Sequence, residues 1–246
     1  MNPIVVIPAR MAATRLPNKP LADIEGQPMI VRVLRQAEQA GVGPVLVAAG
    51  DREIVEAVAA AGGRAVLTDP DLPSGSDRIL AALEAVDPDW SHDVVVNLQG
   101  DMPFVDPDYV RRLVGLFADS PALEMATLVA PEASPADRAN PDVVKAVMSL
   151  ARGADFGRAL YFTRSTLYGE GPVWRHIGIY GYRRKTLHQF VEAAPPTPLE
   201  VREKLEQLRA LELGIQIWAA VVDEAPISVD NPGDLEAARA HARAHS

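Results

Sequence analysis

Cysteine is absent from this chain of 246 residues. A disulfide framework, a thiol nucleophile and a thiolate metal site are therefore excluded. Positive charge is scarce as well, because 24 lysines and arginines stand against 33 aspartates and glutamates and leave a net charge of −9. Proteins that bind nucleic acid usually carry a basic face, so we expect no nucleic-acid partner. The few basic residues near the N-terminus suit a small anion instead.

Long hydrophobic runs are also missing. No uninterrupted apolar stretch approaches the ~20 residues of a membrane span, and residues 1–9 lack the charged start and long apolar core of a signal peptide. We therefore expect a cytoplasmic protein without a membrane partner. Apolar residues still make up 48% of the chain, which is enough to build the core of one large α/β domain or of two small ones.

Short apolar runs alternate with helical patterns through the first half of the chain. The patterns predict strands over 3–9, 45–49, 65–68, 93–98 and 124–130. Helices are predicted between them over 28–40, 52–61, 76–86 and 107–118. This alternation is typical of an α/β fold with a doubly wound sheet and right-handed crossovers.

The second half of the chain is less regular. Strands are predicted over 143–150, 159–163, 177–182 and 215–222. The motif Asn231-Pro-Gly-Asp234 begins a final helix, with asparagine as the cap and proline in the first turn. We predict a single domain, 1–246, that carries an inserted lobe at about 153–213.

A capping box predicts one long helix inside that lobe. The motif Thr197-Pro-Leu-Glu200 places proline at the first helical position. We expect the helix to continue to about residue 213, with Val201, Leu205 and Leu208 on one apolar face.

A stiff basic loop follows the first predicted strand. Residues 8–21, PARMAATRLPNKPL, combine Arg10, Arg15 and Lys19 with three prolines, which restrict the backbone. Small residues at 9, 12 and 13 let a ligand approach the main chain. Three cations in such a loop predict a polyanion site, with a nucleoside triphosphate as the expected ligand. The alternative is a solvated loop with scattered charges.

Two aspartates are candidate metal ligands. Asp101 ends the motif Gln99-Gly-Asp101 directly after an apolar strand, and Asp230 precedes the Asn231 that can cap the last helix. Two carboxylates from distant segments, together with substrate phosphates, are a usual ligand set for Mg²⁺. The alternatives are a turn aspartate after glycine and a helix cap. Since the first and fourth strands of such sheets are often neighbours, we expect Asp101 to face the basic loop.

Three further segments carry polar residues. Ser74-Gly-Ser-Asp-Arg78 is interpreted either as a helix start capped by Ser76 or as a small-residue turn that contacts a base or ribose. Asp51 is likewise either a helix start or a nucleotide contact. The segment 175–183, RHIGIYGYR, alternates polar and apolar residues as a half-buried strand does. Its cations and hydroxyls also suit an acidic, polyhydroxylated substrate.

Taken in order, these motifs resemble those of one enzyme family. The chain resembles the 3-deoxy-manno-octulosonate (Kdo) cytidylyltransferases, or CMP-Kdo synthetases, of Gram-negative bacteria over nearly its whole length. The resemblance is carried by the basic loop, Ser-Gly-Ser-Asp-Arg78, Asn97-Leu-Gln-Gly-Asp101, Ala159-Leu-Tyr-Phe-Thr-Arg164, the segment 175–183, Leu205-Glu-Gln-Leu-Arg209 and Val229-Asp-Asn-Pro-Gly-Asp-Leu235. The segment 175–183 and Leu205–Arg209 are the most specific of these.

The resemblance implies a mixed, Rossmann-like sheet, a homodimer built through the lobe, and Mg²⁺ as cofactor. It implies transfer of CMP from CTP to the anomeric hydroxyl of Kdo with release of pyrophosphate, for lipopolysaccharide biosynthesis. The implied catalytic, nucleotide-binding and metal residues are Arg10, Arg15, Lys19, Ser74, Gly75, Arg78, Asp101 and Asp230. Of these, Lys19, Arg10 and Asp101 would be catalytic, and Asp101 and Asp230 would hold the metal. The implied contacts to the sugar acid are Gln99, Arg164, His176, Tyr180, Glu206 and Gln207.

The sequence departs from the family pattern at four places. Met102 stands where glutamate is frequent, Ala13 replaces a usual serine, Asn18 replaces glycine, and the segment ending at Asp51 is one residue longer. Three alternatives stay open: a CMP-sialic acid synthetase, a cytidylyltransferase for an 8-amino Kdo variant, and a non-catalytic nucleotide-binding regulator. The segment 175–183 favours Kdo over sialic acid.

Overall fold

The computed structural model describes residues 1–12, 15–132, 134–193 and 196–245. Its elements in chain order are β1 (Pro3–Ala9), β2 (Asp23–Ile24), β3 (Gln27–Pro28), α1 (Met29–Ala40), β4 (Val45–Ala49), α2 (Arg52–Ala60), β5 (Ala65–Leu67), α3 (Gly75–Val86), β6 (Val94–Asn97), α4 (Pro107–Asp119), β7 (Met125–Pro131), β8 (Lys145–Ser149), β9 (Phe156–Thr163), β10 (Trp174–Arg183), α5 (Arg184–Glu192), α6 (Pro198–Glu203), α7 (Gln207–Glu212), β11 (Ile217–Val221) and α8 (Pro232–Ala244). Two 3-10 turns lie at Lys19–Leu21 and Pro135–Arg138.

The chain divides into two compact units. The first comprises Met1–Arg111 and Pro226–Ser246, and the second comprises Arg112–Ala225. The lobe predicted at 153–213 falls within the second unit, and its part in sugar binding and dimerisation stays a prediction. Within the described ranges, no helix combines the length and the apolar composition that a transmembrane span needs.

Four parallel strands organise the first unit in the order β5-β4-β1-β6. Strand β1 is buried along its whole length, as expected for an apolar parallel strand covered on both faces. It pairs with β4 through Val5 and Val45 and with β6 through Val5 and Val96. The loops that leave β1 and β6 therefore start at the same edge of the sheet, as the sequence predicted.

A hydrophobic cluster joins the two ends of the first unit. Its members are Leu16, Ile24, Met29, Val229, Leu235, Ala238 and Ala242. Leu16 comes from the basic loop, whereas Val229 and Leu235 flank the start of α8. Burial of these side chains holds the loop against the segment that carries Asp230.

The second unit contains a mixed sheet in the order β10-β7-β11-β9-β8. Strands β7 and β11 are parallel, while β10–β7, β11–β9 and β8–β9 are antiparallel. Parallel strands in one unit and mixed pairing in the other agree with the predicted α/β class.

One helix prediction is wrong in the second unit. Instead of one helix over 197–213, the chain forms α6 and α7, because Lys204 takes a left-handed conformation with φ of 56° that ends α6. Val201 is 61% exposed while Leu205 and Leu208 are buried, so the expected common face does not form. The capping box at the start is present, with the Thr197 amide donating to Glu200 at 3.2 Å. Helix α5 was not predicted.

Candidate active site

A cleft of about 410 Å³ lies in the first unit, at the carboxyl ends of β1 and β6. Its walls come from the basic loop, the first turn of α3, the segment after β6 and the start of α8. The cleft contains nine of the fourteen predicted site residues: Arg10, Arg15, Lys19, Ser74, Gly75, Arg78, Gln99, Asp101 and Asp230.

Lys19 lies between the two predicted metal ligands. Its Nζ is 3.0 Å from Asp101 Oδ2 and 3.0 Å from Asp230 Oδ1. The lysine side chain is only 15% exposed. Burial by itself lowers the pKa of Lys19, but attraction to Asp101 and hydrogen bonds to Asp101 and Asp230 outweigh it and raise this pKa. The ammonium group is therefore charged at neutral pH.

Asp101 is the more buried of the two carboxylates, with 24% of its side chain exposed against 43% for Asp230. Burial raises the pKa of Asp101, the Lys19 ammonium opposes this rise, and the neighbouring Asp230 adds to it. Any cation placed beside Asp101 favours its charged form for the same reason as Lys19 does.

The backbone explains how two aspartates so distant in sequence meet. The amide of Val229 donates to the Asp101 carbonyl oxygen at 2.9 Å, which brings Asp230 beside the end of β6. Leu16 anchors the basic loop in the cluster next to Val229. Gly100 allows this edge to close, because a Cβ there would lie 3.1 Å from the Pro8 carbonyl oxygen.

Asn18 takes a left-handed conformation with φ of 56° just before the 3-10 turn that carries Lys19. Glycine is favoured in this region, and asparagine is among the residues that tolerate it best. Asn18 therefore meets a backbone requirement that a glycine would also meet. Of the other departures, Met102 is buried, and Ala13 lies outside the described residues.

The two arginines of the basic loop are exposed at the cleft. Arg15 pairs with Asp230 Oδ1 at 3.2 Å, although 66% of its side chain is exposed. Such an exposed ion pair contributes little to stability. Both guanidinium groups are thus accessible to an anionic ligand.

Arg78 is almost fully buried, at 2% exposed. Its guanidinium donates to Thr68 Oγ1 at 2.6 Å and to the Asp69 and Pro70 carbonyl oxygens at 2.9 and 3.2 Å. Burial, together with the nearby positive charge of Arg10, lowers its pKa. These bonds fix the loop between β5 and α3, so Arg78 shapes the cleft wall besides lining it.

Ser74, rather than Ser76, caps α3. Its side chain accepts a hydrogen bond from the Asp77 amide at 3.2 Å, and its hydroxyl also contacts the Asp77 carboxylate. The interpretation of Ser76 as the cap was wrong by two residues, because Ser74 and Ser76 are both residue types that favour the cap position. Ser74 and Gly75 line the cleft.

Asp51 has a role that sequence reasoning missed. Its Oδ2 accepts a hydrogen bond from the Met11 amide at 2.7 Å, so it holds the basic loop from the end of β4. Gly50 is required beside it, because a Cβ there would come within 2.8 Å of the Arg78 guanidinium and 3.1 Å of Arg10 Cβ. The sequence did offer one signal for this role of Asp51: the residue lies just after β4, a strand adjacent to β1.

Gln99 is the one predicted sugar contact in the first unit, where its Nε2 donates to Asn97 Oδ1 at 3.0 Å. The other five lie in the second unit. The ring of His176 bonds to Thr127 Oγ1 at 3.1 Å and packs edge-on against Phe162 with centroids 4.9 Å apart. Burial lowers the pKa of His176 to about 3, so its imidazole is neutral at physiological pH.

The other predicted sugar contacts of the second unit are also polar side chains. Burial raises the pKa of Tyr180 well above its ordinary value, with Tyr182 and Glu206 adding to the rise. Arg164 donates to the Pro141 carbonyl oxygen at 3.1 Å. Gln207 is buried, and its Nε2 finds no hydrogen-bond partner among the described residues. A buried donor without a partner is costly, and a ligand would satisfy it.

The cytidylyltransferase pattern matches residues 4–217, which is most of the chain. The chain belongs to the cytidylyltransferase family. Within the family it is similar to the 3-deoxy-manno-octulosonate cytidylyltransferase of Rhodospirillum centenum, with 59% identity over 240 residues that cover 97% of this chain and 93% of the relative. The corresponding protein of Parvibaculum lavamentivorans is 58% identical, with coverage of 97% and 92%. The resemblance inferred from the motifs is confirmed.

Solved structures agree with these relatives. A CMP:2-keto-3-deoxy-manno-octonic acid synthetase complexed with CTP superimposes with a TM-score of 0.91 at 38% identity over the whole of both chains. A cytidylyltransferase from Leptospira borgpetersenii gives a TM-score of 0.64 at 16% identity, covering 97% of this chain and 85% of that one. The second likeness concerns the fold alone, and together they confirm the predicted fold class.

Proposed function

We propose that this chain is a nucleotidyltransferase that activates Kdo. It transfers CMP from CTP to the anomeric hydroxyl of the sugar, releases pyrophosphate and supplies CMP-Kdo for lipopolysaccharide biosynthesis. The convergence of Lys19, Asp101 and Asp230 in one cleft carries this proposal, because it puts two candidate metal ligands in contact with a lysine of the basic loop. Identity of 58–59% to relatives with this name supports the choice of substrates.

The basic loop binds the triphosphate. Arg10 and Arg15 are exposed at the cleft, and Lys19 is charged there. Planar guanidinium groups bind phosphate oxygens through paired donors, and the lysine acts as a point charge. Their common task is to balance the charge that accumulates as pyrophosphate leaves. Ser74, Gly75 and Arg78 form the wall that receives the cytidine.

Asp101 and Asp230 fit a magnesium site. Both place an oxygen 3.0 Å from the same nitrogen, so the two oxygens lie no more than 6.0 Å apart. Two carboxylates are a sufficient protein ligand set for an ion that takes few protein ligands and keeps several waters. When bound, Mg²⁺ would neutralise phosphate charge and lower the pKa of the attacking hydroxyl.

Lys19 and a divalent ion compete for the space between the carboxylates. The Lys19 ammonium lies 3.0 Å from an oxygen of each carboxylate, so a Mg²⁺ ion held by those same two oxygens would have to displace it. Lys19 therefore serves as the counter-ion of this pair, and its charge would be available to the phosphates if another cation took its place.

The family resemblance assigns sugar contacts to Gln99 in the first unit and, separately, to five residues of the second unit. Arg164 supplies a positive charge for the carboxylate, and His176, Tyr180, Glu206 and Gln207 supply hydrogen bonds to hydroxyls. Support comes from the neutral imidazole of His176 and from the unsatisfied amide of Gln207. The enzyme acts in the cytoplasm as a homodimer formed through the lobe, as the family resemblance implies.

The reaction is an in-line displacement. The anomeric oxygen of Kdo attacks the α-phosphorus of CTP, the new phosphodiester bond forms, and the bond to the β-phosphate breaks. The hydroxyl proton passes to solvent, so no protein general base is required. Positioning and charge neutralisation supply the acceleration.

A product assay tests this proposal. Purified protein with CTP and Mg²⁺ receives Kdo, 8-amino Kdo or N-acetylneuraminic acid in turn, and pyrophosphate release is followed. We expect release with Kdo and CTP, and little with UTP or with N-acetylneuraminic acid. Pyrophosphate release only with N-acetylneuraminic acid or only with 8-amino Kdo would identify that sugar, and not Kdo, as the substrate. CTP binding without any pyrophosphate release would indicate a non-catalytic regulator.

A further inference from the structure

Glu203 lies between two segments that carry predicted sugar contacts in the second unit. It is the last residue of α6, and its carboxylate is 12% exposed. Oε2 accepts from Thr163 Oγ1 at 3.0 Å and from the Arg164 amide at 3.5 Å. Oε1 accepts from the Tyr161 hydroxyl at 3.3 Å. One carboxylate thus holds the end of β9 at three points.

A second group holds Arg164 from its other side. Lys145 is fully buried, and its Nζ donates to the carbonyl oxygens of Arg164 and Asn140, both at 2.8 Å. The amide of Arg164 is therefore bound by Glu203 and its carbonyl by Lys145. The backbone from which this guanidinium projects is fixed on both sides.

Glu203 directly precedes the turn that leads to α7. Lys204, next to Glu203, takes the left-handed conformation that ends α6. Two residues later come Glu206 and Gln207. Arg209 of α7 returns to Glu200 of α6 through bonds of 2.8 and 2.6 Å, which tie the two helices together. Glu203 thus joins the end of β9, by hydrogen bonds, to the chain segment that carries Glu206 and Gln207.

We propose that Glu203 is a positioning residue that sets the spacing between Arg164 and the Glu206–Gln207 pair, and thereby the fit of the acidic sugar. This inference rests on the proposed function, which gives those three residues to the sugar. Burial by itself raises the pKa of Glu203, but hydrogen bonds from Thr163, the Arg164 amide, Arg202 and Tyr161 lower it. The carboxylate is therefore charged and accepts all of these bonds at once.

Glu203→Gln tests the inference with little change of shape. The amide nitrogen accepts no hydrogen bond, so the one remaining oxygen cannot serve both Thr163 with the Arg164 amide and Tyr161 with Arg202. We expect the KM for Kdo to rise about tenfold, the cost of one charge-assisted hydrogen bond, while the KM for CTP changes less than twofold. Glu212→Gln is the matched control, because Glu212 also joins α7 to α6, through the Leu199 amide at 3.1 Å, and has no hydrogen bond to β9 among the described residues.

Amide hydrogen exchange supplies a readout that does not depend on the substrate. Glu203→Gln should speed exchange at 161–165 and 204–208, whereas Glu212→Gln should leave 161–165 unchanged. Unchanged exchange at 161–165, or an equal rise of both KM values, would overturn the role of Glu203. A wild-type protein that releases no pyrophosphate from CTP and Kdo would instead refute the proposed function, and the exchange result would still decide the positioning.

Discussion

The two units use opposite means to prepare a site. In the first unit the cleft holds charged groups that already neutralise one another, with Lys19 between Asp101 and Asp230. In the second unit the predicted contacts include a neutral His176 and an unsatisfied Gln207 amide. Paired charges suit phosphates and a metal ion, which can replace one partner. Neutral hydrogen-bonding groups suit hydroxyls, because a missing partner is then penalised.

The largest effect expected is the loss of a carboxylate in the first unit. Asp101→Asn or Asp230→Asn should lower kcat by about 10³-fold, since an amide supports a divalent cation poorly. Pyrophosphate release at saturating CTP measures it, and circular dichroism checks the fold. Asp108→Asn, at an exposed pair with Arg111, is the control. A variant at near wild-type rate would show that the charged cluster is not the metal site.

A smaller effect is expected from the loss of the Lys19 ammonium. Lys19→Ala should raise the KM for CTP by about tenfold to a hundredfold, because one phosphate contact is lost, and should change the KM for Kdo far less. Steady-state kinetics with each substrate varied separates the two. Lys185→Ala, on exposed α5 surface, is the control. Equal effects on both substrates would contradict the division between triphosphate and sugar contacts.

Lys19 should also affect metal binding by the first unit in the absence of nucleotide. Lys19→Met removes the positive charge beside the two carboxylates, so Mn²⁺ should bind the protein alone several-fold more tightly, because the repulsion between the two cations is lost. Electron paramagnetic resonance of free Mn²⁺ measures this affinity directly. Weaker Mn²⁺ binding by the variant would mean that lysine and metal do not compete.

The smallest effect concerns the second unit and pH. The pKa of His176 falls from 6.5 to about 3 on folding, so the unfolded chain binds a proton in this window that the folded chain does not. Stability should therefore fall as pH drops from about 6.5 towards 3, and His176→Gln should lose less of it. Urea unfolding at pH 7 and pH 5 measures this, with His188→Gln as control. If the free energy of unfolding changes equally with pH in the wild type and in His176→Gln, His176 protonates in the folded state.

The sequence predicted local features well where the chemistry is short-range. Strand β1, the cap at Asn231 and the break after β4 were readable because apolar runs, caps and turns depend on neighbours in sequence. The break at Lys204 was not readable, because helical spacing continues through it and the Glu200–Arg209 bond that folds α7 back is a tertiary contact. Ser74 and Ser76 were equally good caps on local grounds.

The residue types of the site were determined by the sequence: a stiff loop with three cations, an aspartate after a buried strand, and another before a helix cap. Only the tertiary structure decided their pairing. The Val229–Asp101 bond and the Leu16 cluster bring Asp230 to Lys19, and Asp51 and Glu203 acquire their roles from backbone amides of remote segments. Hydrogen bonds and apolar burial between distant segments depend on topology, which no local pattern encodes.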